Sequence, residues 1–267
     1  MNSAASNGFA LITGASSGIG AALAREYARR GRPLVLTARR RDKLDDLARE
    51  LGQTVRCEVI ACDLADPAAA AQLYEETSRR GLAVEVLVNN AGYGLPGNFV
   101  SQAWEEHAKF LQVMVSAVCE LSYRFLPEMQ REGQGAILNV ASLAGHVPGS
   151  AGHTLYGASK AFMIKFSQSL ALENAARGIK VSALCPGFTY SEFHDVTGTR
   201  SQVSKMPKWM WMDALSVARE GIDALERGEV VHVAGRTNRA IKTLAKLMPD
   251  RMALRLVQKR SKDFRKT

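Results

Sequence analysis

"TGASSGIG", residues 13–20, lies between an apolar run and a helix-like segment, and its reading decides the fold. The run before it, "GFALIT" (8–13), has strand length and no polar alternation. Gly14 suits a tight turn out of that strand, and Gly18 and Gly20 permit close backbone approach. A helix starting here presents unpaired N–H groups to the turn, the arrangement that holds a pyrophosphate. A glycine triplet between a first strand and a first helix predicts dinucleotide binding, with Gly14, Ser16, Ser17, Gly18, Ile19 and Gly20 as the cradle.

Further along, strand-length apolar runs alternate with helix-length segments. The runs are "PLVLTA" (33–38), "VRCEVIACD" (55–63), "VEVLVNN" (84–90), "GAILNVAS" (135–142), "IKVSALCP" (179–186) and "EVVHVAG" (229–235). Helices are expected to Arg30, from Asp42, from an Asp66 N-cap with Pro67 in first position, over 101–131, around Tyr156, and from near Asp213. Near-continuous apolar strands separated by helices predict an α/β fold. It is a single doubly wound Rossmann domain over 1–235, with a mostly or wholly parallel seven-stranded sheet covered on both faces. A basic helical tail follows at 236–267.

The composition agrees with a globular chain. Of 267 residues, 46% are hydrophobic, enough for a sizeable core. No run reaches the roughly 18 apolar residues of a spanning helix. The apolar start lacks a preceding basic region, so it reads as a strand and not as a signal peptide. Cys57, Cys62, Cys119 and Cys185 form no C-x-x-C and meet no histidine cluster, so neither a metal site nor a disulfide framework is expected. Free thiols fit a reducing cytoplasm. The segment 236–267 carries eleven Lys and Arg against Asp250 and Asp263, which is the whole net charge of +9. Residues 1–235 hold 24 basic and 24 acidic side chains. A neutral body argues against a nucleic-acid surface and directs any acidic partner to the tail.

The glycine spacing is G-x-x-x-G-x-G, and "NNAG" (89–92) follows the fourth strand. Ser142 ends "NVAS" fourteen residues before Tyr156, "YGASK" (156–160) sets Tyr156 four residues before Lys160, and "CPGF" (185–188) follows the sixth strand. With these motifs in this order, residues 8 to about 191 resemble the short-chain dehydrogenase/reductase family, in its compact single-domain, NADP-preferring branch. The resemblance implies a Ser142–Tyr156–Lys160 catalytic centre and a homodimer or homotetramer. It also implies Asp63 at the adenine, Asn90, Ala91 and Gly92 at the cofactor ribose, and Pro186, Gly187 and Thr189 at the nicotinamide, with Tyr156 and Lys160 also touching the cofactor.

At the end of the second strand an acidic residue would bind the ribose of NAD. Ala38 stands there instead, followed by Arg39, Arg40 and Arg41. Three cations before a helix N-terminus oppose its dipole unless an anion sits among them. This predicts NADPH or NADP in preference to NAD, with Arg39 on the 2′-phosphate. An ordinary tyrosine has a pKa of about 10, and Lys160 and a positive nicotinamide would both lower it toward proton transfer. Ser142 would hold the substrate oxygen. The sequence departs from the family at Met114, where the resemblance implies an asparagine supporting a water that links Lys160 to solvent. A thioether is only a weak acceptor.

The expected activity is NADPH-dependent reduction of a ketone or aldehyde, or oxidation of the alcohol, on a small apolar substrate. The alternative is a catalytically impaired nucleotide-binding regulator or scaffold on the same fold, for which Met114 speaks. A lid is expected over 188–215. There Phe188, Phe193, Met206, Trp209, Met210 and Trp211 either line an apolar pocket or only pack the lid down. The tail reads as two amphipathic helices broken at Pro249, with Ile241, Leu244 and Met248 on one face and Met252, Leu256 and Lys259 on another. Two readings stand for it: peripheral contact with an anionic membrane from the cytoplasmic side, or packing on the domain or a neighbouring subunit.

Overall fold

The computed structural model describes residues 8–95, 97–190 and 207–261. Its strands are β1 (Phe9–Thr13), β2 (Leu34–Thr37), β3 (Cys57–Val59), β4 (Val84–Asn89), β5 (Gly135–Val140), β6 (Ile179–Cys185), β7 (Phe188–Tyr190), β8 (Trp211–Asp213) and β9 (Val231–Val233). Seven of them form one wholly parallel sheet in the order β3-β2-β1-β4-β5-β6-β9. The order reverses between β1 and β4. In a doubly wound sheet that is where a crevice opens at the carboxyl ends of the strands.

The helices are α1 (Gly18–Arg29), α2 (Arg41–Leu51), α3 (Ala69–Arg79), α4 (Trp104–Leu111), α5 (Ala117–Glu132), α6 (Thr154–Asn174), α7 (Ala214–Glu226), α8 (Arg236–Leu247) and α9 (Asp250–Ser261). Strand residues alternate between the two faces of the sheet. Ala10, Ile12, Leu34 and Leu36 pack with Leu23, Leu44, Val217 and Ile222 of α1, α2 and α7. Leu11, Val35, Leu87 and Ile137 pack with Leu73, Leu121 and Phe125 of α3 and α5.

The structure departs from the sequence reading at four places. The expected third strand shrinks to β3, which pairs only with Leu34–Leu36 of β2. Arg80 donates from Nη1 to the Val59 carbonyl (3.4 Å) on this strand, and Arg56 pairs with Glu58 at 2.8 Å. Asp66 does not cap α3. Its Oδ1 accepts the Ala68 N–H (2.9 Å) in a turn, and the helix starts at Ala69. The long fourth helix is two helices joined by a π-helical segment, Gln112–Ser116. Strands β7 and β8 form a second, two-stranded parallel sheet that joins the two ends of the expected lid. Asp213 does cap α7, accepting the Ser216 N–H at 2.8 Å.

Helices α1 and α7 are tied by charge as well as by packing. The Glu26 carboxylate is fully buried and meets Arg29 (2.7 Å), Arg30 (2.9 Å) and, from α7, Arg219 (3.3 Å). Arg30 reaches on to Asp223 (2.6 Å) and Glu226 (2.8 Å). Hydrogen bonds from Arg29, Arg30 and Arg219 hold the Glu26 pKa down at about 2 against its burial. A depressed carboxylate adds stability above its unfolded pKa and loses it as pH falls through the folded value. Glu26→Gln is therefore expected to lower stability by about 2–3 kcal/mol at pH 7, since its partners are partly solvated. In urea titrations the gap to wild type should narrow as pH falls from 4.5 toward 2.

Candidate active site

The crevice begins at the glycine turn. Gly14 (φ 66°) and Gly18 (φ 56°) adopt left-handed backbone that favours glycine. A Cβ on Gly14 would lie 2.8 Å from the Ala91 Cα, and one on Gly20 would lie 2.3 Å from the Gly14 carbonyl oxygen. Ser17, in extended backbone at the N-cap of α1, makes no side-chain cap, and no acidic residue lies in the first turn. Ser16, Ser17, Gly18 and Ile19 remain partly accessible. A partly accessible helix N-terminus with no acidic residue in its first turn suits a phosphate-bearing ligand.

Thr13, the last residue of β1, holds this turn to β4. Its buried hydroxyl oxygen accepts the N–H groups of Asn90 (2.9 Å) and Ala91 (3.0 Å) and donates to the Val88 carbonyl (3.2 Å). Asn90 answers by donating from Nδ2 to the carbonyls of Thr13 (2.8 Å) and Gly14 (3.2 Å). Its side chain thus shapes the turn, a use that the resemblance did not imply. Asn89 points the other way, into the sheet. It donates to Asn139 Oδ1 (2.9 Å) and Ser122 Oγ (3.3 Å), and Asn139 donates to Ser167 Oγ (2.9 Å). This buried chain joins β4, β5, α5 and α6 below the crevice.

Beyond β2, Arg39 is exposed. Burial and the Glu106 charge push the Tyr93 pKa up, and the Arg39 charge opposes that rise. Arg40 donates to Ser16 Oγ (3.2 Å), so it is Arg40 that the structure places at the glycine turn. Arg41 turns away to Asp45 (3.6 Å). Asp63 is exposed and accepts the Ala65 N–H at 3.1 Å, which makes it a turn former. Gly92 lies against Met114: a Cβ there would be 2.9 Å from the Met114 sulfur. Met114 is fully buried within the π segment. Its sulfur lies against Gly92.

Ser142 and Lys160 meet around the end of β5, with Tyr156 one helical turn before Lys160. Ser142 Oγ accepts the Ala144 N–H (3.1 Å) and lies 3.5 Å from the Pro186 carbonyl. Lys160 is buried, donates to the Val140 carbonyl at 2.7 Å, and sits 5.8 Å from the centre of the Tyr156 ring. Burial brings the Lys160 pKa down to about 8. Burial pushes the Tyr156 pKa up, and a hydrogen bond with Ser142 opposes that rise. The expected lowering by Lys160 is not what shifts this tyrosine in the protein alone.

On the opposite wall, Pro186 accepts the Leu143 N–H at 2.8 Å, and the buried Thr189 donates to the Gly187 carbonyl at 3.2 Å. Of the expected lid residues, Phe193 and Met206 lie outside the described residues. Phe188 packs on Trp211 (ring centres 5.4 Å apart) and Tyr190 stacks on it at 4.8 Å, while Trp209 stays exposed. These rings serve at least in part to hold β7 on β8.

Comparisons with known proteins show the family and the fold. The short chain dehydrogenase family profile matches residues 8–201. The chain is 34% identical over 226 residues to the oxidoreductase UcpA of Salmonella typhimurium, covering 83% of this chain and 84% of that one. A short-chain dehydrogenase from Sphingobium yanoikuyae, solved in complex with NADPH, is 32% identical with a TM-score of 0.79, over 91% of this chain and 97% of that one. The bulky-bulky ketone specific alcohol dehydrogenase from Comamonas testosteroni is also 32% identical, with a TM-score of 0.74 over 91% and 95% of the two chains.

Sequence reading did not single out Thr13, although it stands inside the glycine stretch. Thr13→Val keeps the shape and removes one acceptor shared by two N–H groups. Stability should fall by about 2 kcal/mol, the typical cost of orphaned buried polar groups. Hydrogen exchange at the Asn90 and Ala91 amides should quicken selectively.

Proposed function

The chain belongs to the short-chain dehydrogenase family and is an oxidoreductase, and from that premise we propose that it reduces apolar ketones or aldehydes with NADPH, or oxidises the corresponding alcohols. The observation that carries this reading is the meeting of Ser142, Tyr156 and Lys160 beside the Pro186–Gly187 wall, at the open end of the sheet. The dinucleotide would supply the hydride. Gly14, Ser16, Ser17, Gly18, Ile19 and Gly20 would hold its phosphates, Asp63 its adenine, and Asn90, Ala91 and Gly92 its ribose. Pro186, Gly187 and Thr189 would flank the nicotinamide.

Arg39 is the proposed contact to the 2′-phosphate, with Arg40 beside it at Ser16. The NADPH in the Sphingobium relative supports that preference. The ketone specificity of the Comamonas relative supports a bulky apolar substrate.

In the reduction, Tyr156 gives its hydroxyl proton to the substrate oxygen while the carbonyl carbon takes the hydride. Ser142, already bonded to Tyr156, donates to the same oxygen as charge develops there. Lys160 is buried one turn away and supports the tyrosinate that forms. Met114 offers no strong hydrogen-bonding group near the family's asparagine position. Tyr156 is then reprotonated more slowly, by way of Ser142 and solvent. An isolated scaffold role would leave this convergence unexplained.

Turnover of an apolar ketone with NADPH is the test. Tyr156→Phe should abolish it while NADPH still binds, because no other group can give the proton. Arg39→Ala should weaken NADPH by about 10- to 100-fold and leave NADH nearly unchanged, the worth of a charge-assisted phosphate contact. Equal losses for the two cofactors would overturn the phosphate assignment.

We further propose that the outer side of α8 and α9 rests on an anionic lipid surface. Leu244 (61% exposed), Leu247 (77%) and Met252 (58%) stand uncovered among exposed Lys246, Arg251 and Arg255. Ile241 and Met248 are half-buried instead, so the stripe expected with Leu244 divides between the inner and outer sides. Leu and Met among Lys and Arg suit the interface of an acidic bilayer. The full chain should pellet with phosphatidylglycerol vesicles at low salt and not with phosphatidylcholine ones. Leu244→Glu/Leu247→Glu should abolish pelleting without changing turnover. Sedimentation velocity on the same variant distinguishes a covering subunit, the expected homodimer or homotetramer, whose loss would reject the lipid assignment.

A further inference from the structure

Helix α8 touches the wall of the proposed nicotinamide site, and nothing in the proposed reaction uses it. We infer that Asn238, in the first turn of this helix, is a positioning residue that sets the Pro186–Gly187 backbone and the base of the lid. The inference rests on the reading of that wall as part of the cofactor site.

Asn238 is 4% exposed, although it lies in a basic and otherwise largely exposed segment. A Cβ placed on Gly187 would fall 2.5 Å from Asn238 Oδ1 and 2.6 Å from Nδ2. The asparagine amide therefore occupies the space that any side chain at 187 would need. The amide is itself fixed, because Nδ2 donates to the Ala234 carbonyl (2.7 Å) and lies 3.7 Å from the Met212 sulfur. Met212 is the middle residue of β8, which pairs with Thr189 of β7. One side chain thus touches Gly187, the strand paired beside it, and the end of the main sheet.

The start of α8 is anchored independently. Glu220 of α7 accepts the Gly235 N–H (3.0 Å) and meets Arg239 at 3.3 Å, and Arg239 also donates to the Val233 carbonyl at 3.1 Å. Gly235 enters the helix with φ 82°, and a Cβ there would strike the Met212 sulfur. Pro186–Gly187 is therefore clamped from two sides. Leu143 and Ser142 hold the Pro186 carbonyl on the catalytic side, and Asn238 closes the other. Moving the asparagine would let the wall relax away from Ser142. The helix that starts the basic tail then belongs to the active site, and a cut after Gly235 would remove part of it.

A double-mutant cycle between positions 187 and 238 tests this. Gly187→Ala should weaken NADPH binding by about 30-fold, because the methyl has nowhere to go. Asn238→Ala alone should raise the KM for NADPH by about fivefold with kcat changed less, since the wall loosens but the proton donor stays. The pair together should bind NADPH about tenfold more tightly than Gly187→Ala alone, a coupling within the range for side chains in contact. The same reversal should appear in the unfolding midpoint without cofactor. That readout covers the case in which Gly187→Ala folds poorly. A double variant no better than Gly187→Ala in either readout would overturn the inference. So would an Asn238→Ala enzyme with unchanged KM. If wild type fails to bind NADPH at all, the cofactor reading falls first and takes the role of Asn238 with it.

Discussion

Where the order of the sheet reverses, one hydroxyl extends the tie between β1 and β4 past the end of their backbone ladder. Thr13 ends β1, and its oxygen takes two N–H groups from the segment after β4 while giving its proton to Val88. At that point each strand is leaving the sheet, and its backbone groups have lost their ladder partners. Without a side chain to satisfy them, the crevice would need water at its base. With Thr13 in place, Asn90 can turn its amide onto the glycine loop, and the loop can bring its backbone close to Ala91. The glycines are consequences of this closeness as much as of any ligand.

A second polar chain lies one layer deeper. Asn89 and Asn139 are register partners on β4 and β5, and their amides pair directly. Ser122 and Ser167 extend the chain to the helices on one face. Buried amides in a parallel sheet carry a high desolvation cost unless answered; here both Nδ2 groups and Asn139 Oδ1 are answered, while Asn89 Oδ1 has no partner among the described residues. These four side chains set how α5 and α6 approach the sheet, and α6 carries Tyr156 and Lys160. The geometry of the proposed proton donor is in this sense inherited from two asparagines that never meet a substrate.

Much of this was legible in the sequence, for definite reasons. Parallel strands buried on both faces must be almost wholly apolar, so β1, β2, β4, β5 and β6 stand out at once. Edge strands are less constrained, so the apolar run 55–63 is nine residues long while only Cys57–Val59 pair. In "NNAG" the two asparagines looked alike, but successive strand residues face opposite sides. Asn139 was a signal that could have been used, as a lone amide in an apolar run. Titration was harder to read. Lys160 one turn from Tyr156 suggests a lowered tyrosine pKa, yet burial dominates both groups, and burial has no signature in a four-residue spacing. The tail gave the least, since amphipathic spacing does not say which side docks. Among the described residues there, the polar Asn238 is as buried as Ala253.

The two ends of the main sheet have a consequence for how the protein meets its own kind. Both outer strands, β3 and β9, are three residues long. On β3 the outward carbonyl of Val59 is covered by Arg80, and charged Arg56 and Glu58 flank the strand. Two short edges, one of them charged and partly covered, give an approaching strand little ladder to extend. Folded copies are therefore discouraged from pairing through the edges of the main sheet. The apolar strands behind those edges, β2 and β6, are thereby kept a strand's width from any neighbour.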